Sequence, residues 1–450
     1  MSSETPNEEA IQKLLSTAKE PARVSEKIHA FYQGKMSTLP KCPVRDVDDF
    51  SIWYTPGVAA PCRAIVEDPD KVYKLTNKGN TIAVISDGSR VLGLGDIGPE
   101  AGLPVMEGKC MLFKYLGGVD AVPIMLDVKS PDDFIETVLR LQPSFGAINL
   151  EDIAQPKCFE ILNQLRERAT IPVWHDDQQG TATVTLAGLM NALKVVGKKK
   201  EDIRITFIGA GAAGSACARL IFAWGVDPAK ARVVDAGGIM GKHRTDFKED
   251  TPAWHLCQIT NHENEQGGIP EALENADVVI AYAKTGPGVI LPEWIELMAE
   301  NPIVFACANP VPEIWPWEAK AAGAAVVATG RSDFPNQVNN SLSFPGIFRG
   351  VLDVRAHTIS DEMCFAAAQA LADAAVDNLD EGHILPDMTD SSIYPLQAAA
   401  VGLKAQEQGL AQVYQTRDQL LDHAEYIIGA AQAATDVLMS ENCIPPMPAD

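Results

Sequence analysis

"RITFIGAGAAGSACARLIFAWG", Arg204 to Gly225, decides how this chain is built. A short strand-like run ends at Ile208. Gly209-x-Gly211-x-x-Gly214 follows it and opens a helical stretch. The first glycine permits a tight turn, the second lets backbone approach a pyrophosphate, and the third lets helix pack close on strand. Ala212 and Ala213, at the helix start, join the three glycines as the expected cofactor-binding set. Free N–H groups at a helix N-terminus face phosphates favourably. Glycines also serve ordinary turns, so the two correct flanks, not the glycines alone, point to a dinucleotide.

Downstream, "ARVVDAGG" ends the next strand at Asp235. A carboxylate there can accept hydrogen bonds from an adenosine ribose and disfavours a 2'-phosphate, which favours NAD. NADP stays open, because Lys242, His243 and Arg244 follow closely and Asp235 could merely start a turn. "DVVIAYA", "IVFACANP" and "AAVVATG" read as further strands of the same unit, and "GTATVTLAGLMNALKVV" (180–196) as the long helix that leads into it.

Upstream, "TIAVISDG", "AVPIMLDV", "FGAINLED" and "IPVWHDD" alternate with "PDDFIETVLRLQ" and "PKCFEILNQLRERA", which are apolar at helical spacing. Such alternation implies a mainly parallel sheet covered by helices. The expected fold is α/β. A mainly parallel N-terminal substrate and metal domain (1–178) precedes a Rossmann-type dinucleotide-binding domain (179–355) and an Ala-rich C-terminal helical segment (356–450). Residues 1–50 read as polar, with helical pieces at 7–20 and 23–35, and the tail "PPMPAD" as loose.

At 450 residues and 46% hydrophobic, the chain can fill two or three cores. Asp plus Glu number 60 against 37 Lys plus Arg, a formal net charge of -23. Such a chain repels phosphate backbones, which argues against nucleic acid as a partner and lends meaning to any basic residue in a pocket. Nine scattered cysteines without a C-x-x-C read as reduced thiols in a cytoplasmic protein. "MSSETPNEEAIQKLL" lacks the apolar core of a signal peptide, and no apolar run reaches the roughly 18 residues of a membrane helix.

Two acidic pairs, Glu151-Asp152 and Asp176-Asp177, each follow a strand-like run. Glu151, Asp152 and Asp177 offer hard oxygen ligands at strand ends, which suit Mg²⁺ or Mn²⁺. Spacing alone leaves an alternative open, in which Asp176 or Asp177 caps the helix that follows.

"YTPGVAAP" (54–61), "GSRVLGLGDIGPEAGLPVMEGKCMLFK" (88–114), "NLEDIAQP" (149–156), "HDDQQGTA" (175–182), "GAGAAG" (209–214), "ANPVPEI" (308–314) and "NQVNNSLSFPGIFRG" (336–350) occur in this order. Together they resemble the malic enzymes, the short bacterial-type oxidative decarboxylases of malate. The resemblance implies conversion of (S)-malate to pyruvate and CO2 with reduction of NAD(P), dependent on a divalent metal. It points to Lys109 as the base for the C2 hydroxyl, Lys114 being the competing lysine in that stretch. Burial near a cation would lower its pKa, as a base requires.

The same resemblance makes Tyr54 the acid that protonates the enolate and Asp176 the electrostatic partner of both. Arg90 and Asn340 would meet malate, Asn309 the cofactor, and Glu151, Asp152 and Asp177 the metal. His175 is expected to be structural. A homodimer or higher homo-oligomer is expected. Two departures from relatives are Trp53, which could alter the pocket edge, and the missing lysine two positions after Asp235. The rival expectations are a non-redox malate or oxaloacetate decarboxylase, an inactive NAD and dicarboxylate sensor, and a metal-free amino-acid dehydrogenase.

Overall fold

Two sheets follow one another along the chain in the computed structural model, which describes residues 20–128 and 130–448. The helix expected at 7–20 therefore lies outside the described residues except for Glu20. Helix α1 (Glu20–Tyr32) accounts for most of the second expected piece, and α2 (Val47–Trp53) and α3 (Ala59–Glu67) lead into the first sheet.

That sheet holds β1 (Thr81–Ser86), β2 (Asp120–Met125), β3 (Ala147–Leu150) and β4 (Val173–His175) in the order β2-β1-β3-β4, parallel throughout. Its crossovers are α4 (Pro99–Gly117), α5 (Pro131–Leu141) and α6 (Lys157–Arg168). β1 is buried from Ile82 onward. Helices cover both faces of a parallel sheet, so its central strands are apolar without alternation. Ser130 caps α5 by accepting from Asp133 N at 3.1 Å, with Pro131 at the first helical position. Phe134, Ile135 and Val138 of α5 then pack in one cluster with Cys158, Ile161 and Leu165 of α6.

α7 (Thr181–Val196) enters the second unit, and α8 (Ala212–Trp224) follows β5 (Ile205–Ile208). The remaining strands are β6 (Arg232–Asp235), β7 (Gly238–Ile239), β8 (Val278–Ala281), β9 (Ile303–Ala306) and β10 (Val326–Thr329). Their order is β10-β9-β8-β5-β6-β7, parallel except for β7. The order reverses at β5, and in open α/β sheets ligands bind in the crevice beyond strand ends at such a point.

Buried from Ala182 to Leu193, α7 shares a core with Phe113, Trp174, Phe207, Phe344 and Phe348. The C-terminal helices are α9 (Phe344–Asp353), α10 (Asp361–Ala374), α11 (Ile393–Glu407) and α12 (Arg417–Ser440). They close this core. α9 approaches α11 so nearly that a Cβ at Gly350 would lie 2.3 Å from Ala398 O. α12 reaches back to the first unit, where a Cβ at Gly118 would lie 2.5 Å from Ile427 Cγ2.

Candidate active site

β3 and β4 are parallel neighbours in a register that pairs Leu150 with His175. The residues just past their ends, Glu151-Asp152 and Asp176-Asp177, are therefore brought side by side. Carboxylate oxygens of Glu151, Asp152 and Asp177 lie within 4.8 Å of one another. The Asp152 N–H donates to Asp177 Oδ2 at 2.9 Å and ties the two ends together. Asn149, two residues earlier on the same face of β3, donates to Glu151 Oε2 at 2.9 Å.

Burial pushes the Glu151 carboxyl well above its ordinary range, and Lys109 opposes that only in part. Burial, then the charge of Asp177, pushes Asp152 up to about 8. Asp152 Oδ2 is buried and has no hydrogen-bond partner. Buried, crowded carboxylates need a positive partner. The three residues thus fit a hard divalent cation, which they would hold through oxygen.

Lys109, buried on α4, places Nζ 2.6 Å from Asp176 Oδ2, 3.0 Å from Glu151 Oε1 and 4.4 Å over the Phe344 ring. Burial disfavours its ammonium, but Asp176 and Glu151 outweigh burial and hold its pKa above the ordinary lysine value. Burial alone therefore does not lower this pKa: the expected lowering was tied to a divalent cation, and the two touching carboxylates set the sign when Lys109 faces them alone. Lys114 instead meets Asp120 at 2.7 Å, partly exposed and outside the cleft walls.

Asp176 is fully buried, and its Oδ1 accepts from Trp174 Nε1 at 3.2 Å. It sits in a π-helical turn, Asp176–Gly180, where a Cβ at Gly180 would lie 2.0 Å from Asp176 Oδ1. Neither Asp176 nor Asp177 is the N-cap of the turn or of α7, which are His175 and Gly180, and their carboxylates instead accept from Trp174 and Asp152. His175 is fully buried with neither ring nitrogen hydrogen-bonded, and burial lowers its pKa.

A cleft of about 710 Å³ joins the two units. Its lining includes Arg90, Lys109, Glu151, Asp152 and Asp177 together with Gly211, Ala212, Ala213, Asn309 and Asn340. Gly209 and Gly214 shape the turn without lining the cleft. Gly209 has φ +101°, and a Cβ at Gly214 would lie 1.9 Å from Gly209 O. No side chain caps the N-terminus of α8, so the site fits a pyrophosphate. The Arg90 backbone N–H donates to Asp152 O at 3.0 Å and its guanidinium to Leu92 O at 2.9 Å.

Tyr54 and Asp235 are not among the residues that line the cleft. Tyr54 is 71% exposed and absent from the cleft walls, because it ends the short helix α2, whose Val47, Phe50, Ile52 and Trp53 also face outward. Trp53 donates to Pro43 O at 3.0 Å and so does not form a cleft edge in this chain. Asp235, at the end of β6, is already engaged by Arg244 and by the Gly237 N–H. Sequence reasoning missed Asn149, Trp174 and Gly180, which set the carboxylates. The same-face spacing of Asn149 and Glu151 was a usable signal. The Asp176–Gly180 approach was not, because it depends on the π turn. Lys284 was also missed and lines the cleft beyond β8.

Fold and cleft define a two-sheet framework in which a Rossmann-type dinucleotide unit faces a carboxylate cluster that fits a cation. Residues 33–166 match the family "Malic enzyme, N-terminal domain" and residues 178–406 match "Malic enzyme, NAD binding domain". The chain belongs to the malic enzyme family. It is 51% identical to the NAD-dependent malic enzyme of Geobacillus stearothermophilus, over 84% of this chain and 78% of that one. It is 48% identical to the bifunctional malic/malolactic enzyme of Bacillus subtilis, over 86% and 93%. The crystal structure of Entamoeba histolytica malic enzyme superposes with a TM-score of 0.94 at 47% identity, covering 97% of this chain and 92% of that one.

Proposed function

We propose that this chain oxidises (S)-malate with NAD and releases pyruvate and CO2. The observation that carries this reading is one cleft holding Lys109, the three crowded carboxylates and the open start of α8. When bound, Mg²⁺ or Mn²⁺ on Glu151, Asp152 and Asp177 supplies Lewis-acid charge, and the dinucleotide supplies the hydride acceptor. With a cation held on Glu151, Lys109 would keep only Asp176 as an uncompensated counter-charge, which would move it towards the neutral amine that a base needs.

Lys109 takes the C2 hydroxyl proton as hydride leaves C2. The bond from C3 to its carboxylate breaks, CO2 departs, and C3 takes a proton from Tyr54. Lys109 returns its proton to Tyr54, so the hydroxyl proton ends in the methyl group of pyruvate. Asp176 positions Lys109. Arg90 and Asn340 hold malate carboxylates, and Asn309 meets the cofactor.

Tyr54 reaches a cleft only across a subunit contact. Val47, Phe50, Ile52 and Trp53 form an exposed apolar surface around it, of the kind that marks a protein interface. We assign that surface to a second copy of this chain, whose cleft receives Tyr54. The division at 178/179 and 355/356 stands as part of the same reading. The nine free thiols fit the cytoplasm, and no helix among the described residues is long and apolar enough to cross a membrane.

Malate-dependent NADH appearance, matched mole for mole by pyruvate and abolished by chelator, tests the reading. The Bacillus subtilis relative's printed name supports a second one, a decarboxylase that retains its dinucleotide. Lactate forming without free NADH would establish that second reading instead.

A further inference from the structure

Arg244 sits at the end of β6, where a Rossmann unit meets the adenosine ribose. Its Nε and Nη2 donate to the two oxygens of Asp246 at 2.7 and 2.6 Å. Its Nη1 and Nη2 donate to the two oxygens of Asp235 at 2.8 and 3.2 Å. Four of the five guanidinium N–H donors are thereby used. Phe247 supports one face of the group, 4.7 Å from its ring centroid. The approach depends on Gly237, where a Cβ would lie 2.7 Å from Arg244 Nη2.

We propose that Asp246 is a cofactor-selecting residue, which keeps Arg244 engaged and so withholds it from the 2'-phosphate of NADP. This rests on the dinucleotide reading above. A free arginine beside the ribose would bind that phosphate as a fork. Here two carboxylates share one guanidinium, so the cluster is net negative and opposes a phosphate. Asp235 Oδ2 accepts only one bond, from Arg244, and retains a lone pair for a ribose hydroxyl. NAD is therefore accepted at the same point where NADP is refused. Asp246 is largely exposed, so its removal leaves the buried core untouched.

The test is fluorescence titration of NADH and of NADPH into wild type, Asp246→Asn, Asp246→Ala and the double variant Arg244→Ala/Asp246→Ala. Either single variant should tighten NADPH by roughly tenfold or more, the scale of a recovered charge-assisted contact. NADH should move less than about twofold, since it has no phosphate to meet the freed fork. The double variant should lose the gain, which ties it to Arg244. An NADPH-to-NADH affinity ratio unchanged in both single variants overturns the proposal while leaving the dinucleotide site intact. Failure of wild type to bind NADH overturns the dinucleotide reading, and this proposal with it.

Discussion

Lys109 is gripped by two carboxylates, yet only one of them belongs to the three-carboxylate cluster proposed to hold a cation. Glu151 faces both Lys109 and Asp152, whereas Asp176 faces Lys109 and Trp174. The two neighbours Asp176 and Asp177 should therefore separate by assay. Asp177→Asn should weaken Mn²⁺ binding and abolish most activity, because an amide is a neutral, poorer ligand. Asp176→Asn should lower turnover with Mn²⁺ affinity largely kept. Equal Mn²⁺ affinity in wild type and Asp177→Asn, measured by titration, would return Asp177 to a structural role. Lys109→Ala should cut turnover by about 10² to 10⁴, the range for a lost acid/base group, with NADH binding retained. Lys114→Ala should stay near wild type, since its partner Asp120 lies away from the cleft. The reverse result in steady-state assays would move the base to Lys114.

The π turn Asp176–Gly180 and the paired ends of β8 and β9 are the elements that set the walls of the site. Gly180→Ala would press a methyl on Asp176 Oδ1, from a Cβ position 2.0 Å away. It should cost about 1 to 3 kcal/mol in stability, as overpacking does. Turnover should fall as Asp176 shifts off Lys109. A normal kcat in the Gly180→Ala variant would show that the turn yields without moving Asp176.

Beyond β8 and β9, Glu313 is fully buried and accepts from Ala283 N at 2.8 Å and Ala308 N at 3.0 Å. Burial pushes its carboxyl up to about 7 from 4.5, against the pull of those two donors. A raised folded pKa means that folding takes up a proton. The stability this contributes is whole below about 4.5 and lost as pH rises through about 7. The thermal midpoint of wild type relative to Glu313→Gln should therefore fall across that window. A constant difference across it would mean that Glu313 is ionised throughout. These elements also mark what the sequence could and could not say. Strand-helix alternation and the Gly209-x-Gly211-x-x-Gly214 spacing are periodic signals, and both sheets follow from them. The engagement of Asp235 by Arg244, nine residues later, depends on how a loop folds back, and no periodicity encodes that.

At the scale of the whole molecule, Tyr54 poses the sharpest question, because one chain does not bring it to its own cleft walls. Local pattern identified the residue through "YTPGV" but carried no information about whose cleft it serves. The second copy proposed above would cover the exposed apolar surface of α2 and receive Tyr54. A two-fold dimer uses the same patch on both partners, so each would send Tyr54 to the other. Each complete site then combines Lys109 of one chain with Tyr54 of its partner. This arrangement allows a complementation test. Tyr54→Phe and Lys109→Ala should each be nearly inactive as pure proteins. Mixed under conditions that exchange subunits, half the dimers become hybrids, and one site in each hybrid pairs an intact Lys109 with an intact Tyr54. Turnover should recover to about a quarter of wild type, the share expected from random pairing of two-fold dimers. If Tyr54 instead served its own chain, every site in the mixture would carry one defect. Activity would then stay at the level of the single variants, and the exposed face of α2 would need another explanation.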